Sequence, residues 1–280
     1  MRMFERPLVN RMRDMNAPFS QWLNPLLDLV DQASVAVMAV YNTDFEVHRK
    51  ADASPVTAAD LAAEAIITAG LRTLTPHIPV IGEEASSDGL VPLAADTFWL
   101  IDPVDGTREF MDRNGEFTVN VALVHHGEPQ LGVVAAPALN EVFWGVNTEA
   151  MRGAWWRSAP NDKPIPIQCT PPPHEGIRVF RSRNHGDPGA LDVFLRDYTI
   201  GAETAVGSSL KFCRMAQGLA DLYPRFGPTM AWDTAAAHAV LAGAGGRICQ
   251  VDGQDLRYDA KQLKNPHFVA WGLLMPPSSR

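Results

Sequence analysis

One short stretch limits what this chain can fold into more than any other. Residues 98–101 are apolar and predict a buried strand, which ends in Asp102 and Asp105 before Gly106 and Thr107 begin a helix. Two carboxylates at the end of a buried strand repel each other unless a cation neutralises them. Backbone amides at a helix start are suited to binding phosphate. The stretch therefore indicates a site for a cation and a phosphate, although an Asp-Gly pair alone is more typical of an ordinary turn.

Two helices are predicted before this strand. Asn24 is placed to cap a helix whose first residue is Pro25. A second helix is predicted to begin at Thr57, with Asp60 three residues later completing a capping box. Each helix is expected to bury one face, because apolar residues recur at helical spacing. They are Leu26, Leu27, Val30, Ala33, Val37 and Val40 in the first helix and Leu61, Ile66, Leu71 and Leu74 in the second.

The rest of the first half consists of short apolar runs that are typical of strands. The predicted strands cover residues 79–81, 98–101, 118–124, 131–135 and 142–145. Residues 125–129 contain Gly127 and are predicted to form the turn of a hairpin. Helices followed by strands predict an α+β fold class.

The length of 280 residues corresponds to about two domains. Six of the 19 residues from 157 to 175 are prolines, which favours a domain boundary there. We therefore predict an N-terminal extension at 1–20, an α+β domain at 21–160 and an α/β domain at 175–280. The second half is predicted to contain strands at 178–181 and 221–224 and helices at 188–196, 209–217 and 233–242.

Charge and cysteine content exclude several classes of protein. With 24 basic and 32 acidic residues the net charge is −8, which argues against binding a nucleic-acid polymer. An anionic small molecule would need a local cationic or metal-filled pocket. Cys169, Cys213 and Cys249 are widely separated, so neither a disulfide framework nor a thiolate zinc site is favoured.

The same features predict a cytoplasmic protein without a transmembrane segment, because no run approaches about 18 uninterrupted apolar residues. Four arginines in residues 1–13 leave peripheral contact with the inner face of the membrane open, at roughly 1 kcal/mol each. The sequence does not define the oligomeric state.

Two further acidic motifs stand at the ends of predicted elements. Glu83 and Glu84 follow Gly82 directly after the strand at 79–81, and Asp233 follows Trp232 at the start of an alanine-rich helix. Alone, the glutamates are typical of a solvated pair and Asp233 of a helix cap. Their occurrence together with residues 102–107 favours one shared acidic site.

Together, these motifs resemble the lithium-sensitive, magnesium-dependent phosphatases that include inositol monophosphatase and fructose-1,6-bisphosphatase. The motifs are Gly-Glu-Glu at 82–84, Asp-Pro-Val-Asp-Gly-Thr at 102–107 and Trp-Asp at 232–233, in the order of that family. Longer stretches are similar to its 3'(2'),5'-bisphosphate nucleotidase branch of the CysQ type. They cover 54–60, 113–120, 207–213 and 222–228, so the resemblance extends from about residue 24 onward.

The resemblance implies a layered αβαβα sandwich with the active site between its two halves. It also implies that two or three Mg²⁺ ions, with Mn²⁺ as an alternative, bind in the first domain. Their ligands would be Glu83, Asp102, the carbonyl of Val104, Asp105 and Asp233. Such an all-oxygen set suits Mg²⁺ or Mn²⁺ rather than zinc.

The implied chemistry is in-line attack of an activated water on phosphorus. Thr107 and Asp60 resemble the water-activating pair of the family, and Glu83 would help to orient the water. The amides of Gly106 and Thr107 would hold the scissile phosphate.

Substrate choice is implied to lie in the second domain. Residues matching His185, Ser208, Lys211 and Arg225 surround the rest of the nucleotide in the nucleotidase branch, and Asp233 also belongs to the substrate set. Asn184 stands where that branch often has serine, and this departure weakens the assignment of His185. Taken alone, Lys211 on a helix is typical of a solvated cation.

The expected activity is hydrolysis of adenosine 3',5'-bisphosphate (PAP) to AMP and phosphate, with its sulfated precursor PAPS as a second candidate substrate, in sulfur assimilation. An alternative is an inositol monophosphatase or fructose-1,6-bisphosphatase, which would not need Lys211 and Arg225. A non-catalytic PAP sensor is a third interpretation. Retention of Thr107 and Asp60 argues against it, because binding alone needs no water-activating pair.

Overall fold

Two sheets and three helical layers alternate in the computed structural model, which describes residues 19–49, 55–87, 95–183 and 186–274. The first layer contains helices α1 (Phe19–Tyr41) and α2 (Ala58–Leu74). Thr57 caps α2 and Asp60 completes the predicted capping box. Two short strands, β1 (Val47–Arg49) and β2 (Pro55–Thr57), pair antiparallel and lie between the two helices in sequence.

Helix α1 begins earlier than predicted. It starts at Phe19, and Pro25 lies inside the helix rather than at its first position. The additional turn is stabilised by packing, because Leu23 is buried and Trp22 contacts the core. Two residues of the predicted extension at 1–20 therefore belong to α1, and residues 1–18 lie outside the described part of the chain.

A seven-stranded sheet forms the second layer. Its strands follow the chain order β3-β4-β5-β6-β7-β8-β9, with β3 parallel to β4 and every other pair antiparallel. The turn at 125–129 joins two of them as predicted. The strands are β3 (Val80–Gly82), β4 (Thr97–Asp105), β5 (Thr118–His125), β6 (Glu128–Ala136), β7 (Glu141–Asn147), β8 (Arg152–Arg157) and β9 (Ile165–Ile167).

Successive side chains of β4 point to opposite faces of this sheet, and each face packs against a different hydrophobic core. Trp99 and Ile101 pack with α1 and α2, whereas Phe98 and Leu100 pack on the opposite side. The short helices α3 (Glu83–Ser87) and α4 (Thr107–Met111) directly follow β3 and β4. Each of these strand ends therefore leads directly into a helix.

The third layer contains helices α6 (Leu210–Ala216) and α7 (Ala231–Gly243), and α7 lies very close to the seven-stranded sheet. A Cβ on Gly132 would lie 2.1 Å from the carbonyl oxygen of Ala236, and one on Gly145 2.3 Å from that of Ala239. Because only glycine leaves room for the helix backbone, β6 and β7 form the platform that fixes α7 and its first turn.

The last two layers are a five-stranded sheet and α5 (Pro188–Leu195). The strand order is β11-β10-β12-β14-β13. These strands are β10 (Ile177–Ser182), β11 (Ile200–Val206), β12 (Leu222–Arg225), β13 (Arg247–Gln250) and β14 (Phe268–Trp271). The predicted αβαβα sandwich is therefore confirmed.

The proposed domain boundary at the proline-rich segment stays a prediction. Part of that segment, β9, extends the first sheet, and Cys169 beyond it is buried in the core. That core also combines strands β4–β7 with α6, α7 and β12. The two predicted domains thus share one hydrophobic core.

Within the described residues, the stretch Gln21–Tyr41 of α1 is long and apolar enough to cross a membrane by length and composition alone. Leu26, Val30, Ala33 and Val37 of this helix are completely buried against α2 and the sheet. Such burial is typical of a core helix.

Candidate active site

A cleft of about 600 Å³ opens where the ends of β3 and β4 meet the first turns of α6 and α7. Among the described residues, one predicted site residue does not line it, since Asp60 is buried away from the cleft. His185 lies outside the described residues. The cleft brings together all the others, which are Glu83, Asp102, Val104, Asp105, Gly106, Thr107, Ser208, Lys211, Arg225 and Asp233.

The acidic end of the cleft has strongly perturbed carboxyl groups. Burial raises the pKa of Asp102 well above its ordinary value, and the charges of Glu83, Asp105 and Asp233 raise it further. Burial likewise raises the pKa of Asp233, with Asp105 as the next cause. The Val104 amide donates to Asp102 over 3.1 Å, and the Met230 amide donates to Asp233 over 2.9 Å. These carboxyl groups are held in place although their negative charges repel each other.

Asp105 is held from the other half of the chain. The amide of Ser209 donates to Asp105 Oδ2, with weaker contacts of 3.4 Å from Thr118 and Asn120. Ser209 Oγ lies 2.8 Å from both Thr118 Oγ1 and Asn120 Oδ1. Burial raises the pKa of Asp105 to about 6, while Lys211 and the Ser209 amide act to lower it. The turn before α6 therefore orients a predicted metal ligand.

Of the predicted water-activating pair, Thr107 lies at the junction of β4 with α4, and Asp60 lies in the first turn of α2. Thr107 Oγ1 donates to the Val104 carbonyl over 3.4 Å. Asp60 Oδ2 accepts bonds from the amide and hydroxyl of Thr57, at 2.8 and 2.7 Å. The charge of Asp60 also raises the pKa of Asp102, so Asp60 lies within electrostatic reach of the acidic end. A direct pairing of Thr107 with Asp60 stays a prediction.

Gly106 and Ser208 lie side by side at the middle of the cleft. Both have a positive φ, of 89° and 48°. A Cβ on Gly106 would lie 3.3 Å from Cβ of Ser208. Glycine at position 106 thus permits both the left-handed backbone and the close approach of the two halves.

The basic end of the cleft contains Lys211 and Arg225. Lys211 is 4% exposed and Arg225 7%, so Lys211 is not the solvated cation that its position on a helix suggests. Lys211 Nζ donates to the carbonyls of Val206 and Ser208, at 3.0 and 2.6 Å, and lies 5.2 Å from the centre of the Tyr223 ring. Burial lowers the pKa of Lys211 to about 8, while Asp105 acts to raise it and Arg225 acts to lower it. An anion bound in the cleft would stabilise both cations.

The donor set of the acidic end is compatible with Mg²⁺ or Mn²⁺. It consists of four carboxylates and the Val104 carbonyl, and hard divalent cations prefer such oxygen ligands. Among the residues that the structure describes, no group of three or more His, Cys, Asp or Glu side chains is already arranged to hold a metal ion. The carboxyl groups nevertheless line one cleft, and their raised pKa values show that the ionised forms are disfavoured there, a penalty that a bound cation would relieve.

Several contributing residues are not among the predicted site residues. They are Thr118 and Asn120 on β5, Ser209 before α6, Tyr223 on β12 and Glu64 on α2. The sequence carries one signal for the first two, because Thr118 and Asn120 are polar residues at alternate positions of an otherwise apolar strand. The others depend on contacts between distant segments.

The fold and the site define the class of the protein. Residues 19–274 match the inositol monophosphatase family. The chain therefore belongs to that family. The structure of inositol monophosphatase from Anabaena (Nostoc) has the same fold, with a TM-score of 0.71 at 22% identity, covering 91% of this chain and 92% of that one.

Within the family, the chain is similar to proteins named 3'(2'),5'-bisphosphate nucleotidase CysQ. That of Escherichia coli (strain K12) is 45% identical over 249 residues, which cover 88% of this chain and 98% of the relative. That of Buchnera aphidicola is 37% identical, over 89% of this chain and 92% of the relative. The crystal structure of CysQ from Bacteroides thetaiotaomicron is 31% identical, with a TM-score of 0.75, covering 93% of this chain and all of that one.

Proposed function

We propose that this protein is a Mg²⁺-dependent phosphomonoesterase that hydrolyses PAP to AMP and phosphate, and PAPS as a second substrate, in sulfur assimilation in the cytoplasm. One observation carries the proposal: the same cleft is lined by the carboxylates of β4, α3 and α7 and by the buried cations Lys211 and Arg225. A substrate with two phosphates could place one at the carboxylates and the other at the two cations. The similarity to the CysQ proteins supports this interpretation.

At the acidic end, Glu83, Asp102, Asp105, Asp233 and the Val104 carbonyl would hold two or three Mg²⁺ ions. When bound, these ions supply positive charge that lowers the pKa of the attacking water and offsets charge that develops on the phosphate.

The residues of the chain then position the reactants. The amides of Gly106 and Thr107 would hold the scissile phosphate, and the Thr107 hydroxyl would orient the water toward phosphorus. As the water oxygen bonds to phosphorus, its proton would pass by way of Thr107 to Asp60, and the ester bond to the ribose 3'-oxygen would break, with that oxygen taking up a proton from solvent. Because Thr107 is at the first turn of α4, two residues after Asp105, one junction would hold both the water and the phosphate.

At the basic end, Lys211, Arg225 and Ser208 bind the second phosphate, and His185 contacts the rest of the nucleotide. Two of the three Lys211 N–H groups bond to backbone carbonyls, which leaves the third for an anion in the cleft. Since the ammonium is buried and already oriented, little side-chain entropy is lost on binding.

Phosphate release from PAP, PAPS, inositol 1-phosphate and fructose 1,6-bisphosphate, each with Mg²⁺ and with EDTA as the control, tests the proposal. We expect Mg²⁺-dependent release with the highest kcat/KM for PAP. Faster turnover of inositol 1-phosphate or fructose 1,6-bisphosphate would support the phosphatase alternative. Tight PAP binding without turnover would support the sensor.

A further inference from the structure

A buried carboxylate on α2 contacts the acidic site from behind. Glu64 is 8% exposed and does not line the cleft. Its Oε2 accepts the amide of Glu84 and its Oε1 accepts the amide of Ala85, each over 2.8 Å. Both oxygens thus bind the first turn of α3, the helix that begins at the predicted metal ligand Glu83.

This contact supplies a helix cap that the local sequence lacks. The N-cap position of α3 is Gly82, which has no side chain to accept the free amides of the first turn. Glu64 provides two acceptors from a neighbouring helix, 20 and 21 residues earlier in the chain. The cap is therefore a tertiary contact and not a local one.

Gly82 is also required sterically. A Cβ at this position would lie 2.6 Å from Cδ of Glu64 and 2.7 Å from each carboxylate oxygen. The Glu64 carboxylate therefore occupies the space that any other residue at position 82 would need. Gly82 of the Gly-Glu-Glu motif and Glu64 therefore form one structural unit.

The contact between Glu64 and Gly82 determines where the Glu83 side chain lies. Gly82 is paired with Ile101 in the parallel β3–β4 ladder, so Glu83 leaves β3 beside Asp102, the next residue of β4. The charge of Glu83 is the largest electrostatic contribution to the raised pKa of Asp102. Without the cap, the first turn of α3 would lose two hydrogen bonds beside this pair of carboxylates.

We propose that Glu64 is a positioning residue for divalent-cation binding: by capping α3 over Gly82, it fixes the Glu83 carboxylate beside Asp102. The proposal rests on the proposed function in one respect, namely that Glu83 and Asp102 are metal ligands. Glu64 does not line the cleft, so it would act through the position of Glu83.

The test measures binding of Mn²⁺ alone, by the electron paramagnetic resonance of free Mn²⁺, with no substrate present. Glu64→Gln leaves one amide facing an NH₂ group, and Glu64→Asp keeps the charge but is too short to reach both amides. Loss of such an outer contact typically weakens metal affinity about 10- to 100-fold. We therefore expect the Kd for Mn²⁺ to rise at least about tenfold in both variants.

Two control variants separate positioning from charge and from stability. Glu84→Gln removes a neighbouring buried charge but keeps the backbone amide bound to Glu64. Ile67→Ala, one turn further along α2, removes only buried apolar volume. Thermal unfolding in EDTA compares their stability with that of the Glu64 variants, and we expect Mn²⁺ affinity near wild type in both controls.

The outcomes are distinct. Wild-type Mn²⁺ affinity in either Glu64 variant, or an equal loss in Glu84→Gln or Ile67→Ala, would overturn the positioning role. Strong Mn²⁺ binding by a wild-type protein that releases no phosphate from PAP would overturn the proposed function and leave the role of Glu64 intact. A wild-type protein that binds no Mn²⁺ would overturn both.

Discussion

Replacing Asp105 with asparagine should have opposite effects on activity and on stability, because the negative charge that binds metal also destabilises the metal-free fold. Asp105 lies within the cleft, and its carboxylate accepts the Ser209 amide from the second half of the chain. Asparagine has nearly the same shape, and its Oδ1 can accept the same amide, but it carries no negative charge. We expect Asp105→Asn to abolish Mg²⁺-dependent phosphate release and to stabilise the protein in EDTA.

The size of the stabilisation follows from the pKa of Asp105. Burial raises this pKa from 3.8 to about 6. The ionised carboxyl therefore disfavours the folded state by roughly 3 kcal/mol at neutral pH. Removing the charge should raise Tm in EDTA by roughly 6 °C, at about 2 °C per kcal/mol for a chain of this size.

The sign of the pH dependence provides a second check. Because the pKa of Asp105 is raised on folding, its neutral form stabilises the folded state fully below pH 3.8, and this contribution is lost as pH rises through about 6. Asparagine does not titrate. The advantage of the variant should therefore be near its maximum at pH 7.5 and fall to about half at pH 5.

Differential scanning calorimetry of both proteins in EDTA at pH 7.5 and pH 5, together with phosphate release from PAP, measures these effects. A lower Tm for the variant at pH 7.5, or an advantage that grows at pH 5, would refute the electrostatic reasoning. Near-normal turnover would refute the assignment of Asp105 as a metal ligand.

Two further predictions concern the N-terminal residues and the packing of the core. Deletion of residues 1–18 should leave kcat and KM for PAP unchanged, because no site motif lies there and the family match begins at residue 19; a large fall in kcat would show that this segment contributes to the site. Gly132→Ala should lower stability by at least about 1 to 3 kcal/mol in urea unfolding, since its Cβ would lie 2.1 Å from the Ala236 carbonyl oxygen; an unchanged midpoint would contradict the tight packing of α7 on β6.

Much of the fold could be predicted because its strands are continuous apolar runs. Strand β5 is buried along nearly its whole length, and the capping box at Thr57 marks the start of α2 by local chemistry alone. Strand β11 was not predicted, because five of its seven residues are exposed and it forms one edge of its sheet. Its strand conformation depends on pairing with β10, which no local pattern encodes.

The candidate site also combines residues that local motifs reveal with residues that only tertiary contacts reveal. Motifs at 82–84, 102–107 and 232–233 could be found because each lies at the end of one element, and the structure places all three in one cleft. Ser209 and Glu64 could not be found in this way. Ser209 binds Asp105 across 104 residues, and Glu64 binds Ala85 across 21, so their roles exist only once the layers have packed.

The central claim is that one cleft cleaves one phosphate at its acidic end and holds another at its basic end. The most direct measurement compares kcat/KM for PAP with that for adenosine 3'-monophosphate, which has the same scissile phosphate and lacks the second one. It uses the wild type, Lys211→Ala and Arg225→Ala, each with saturating Mg²⁺.

A charge-assisted hydrogen bond to the second phosphate is worth about 1.5 to 3 kcal/mol, so we expect the wild type to prefer PAP by at least about ten- to a hundredfold. Each variant should lose most of this preference, with a much larger loss of kcat/KM for PAP than for the monophosphate. Equal kcat/KM for the two substrates in the wild type, or equal losses in the variants, would contradict the claim that Lys211 and Arg225 bind the second phosphate.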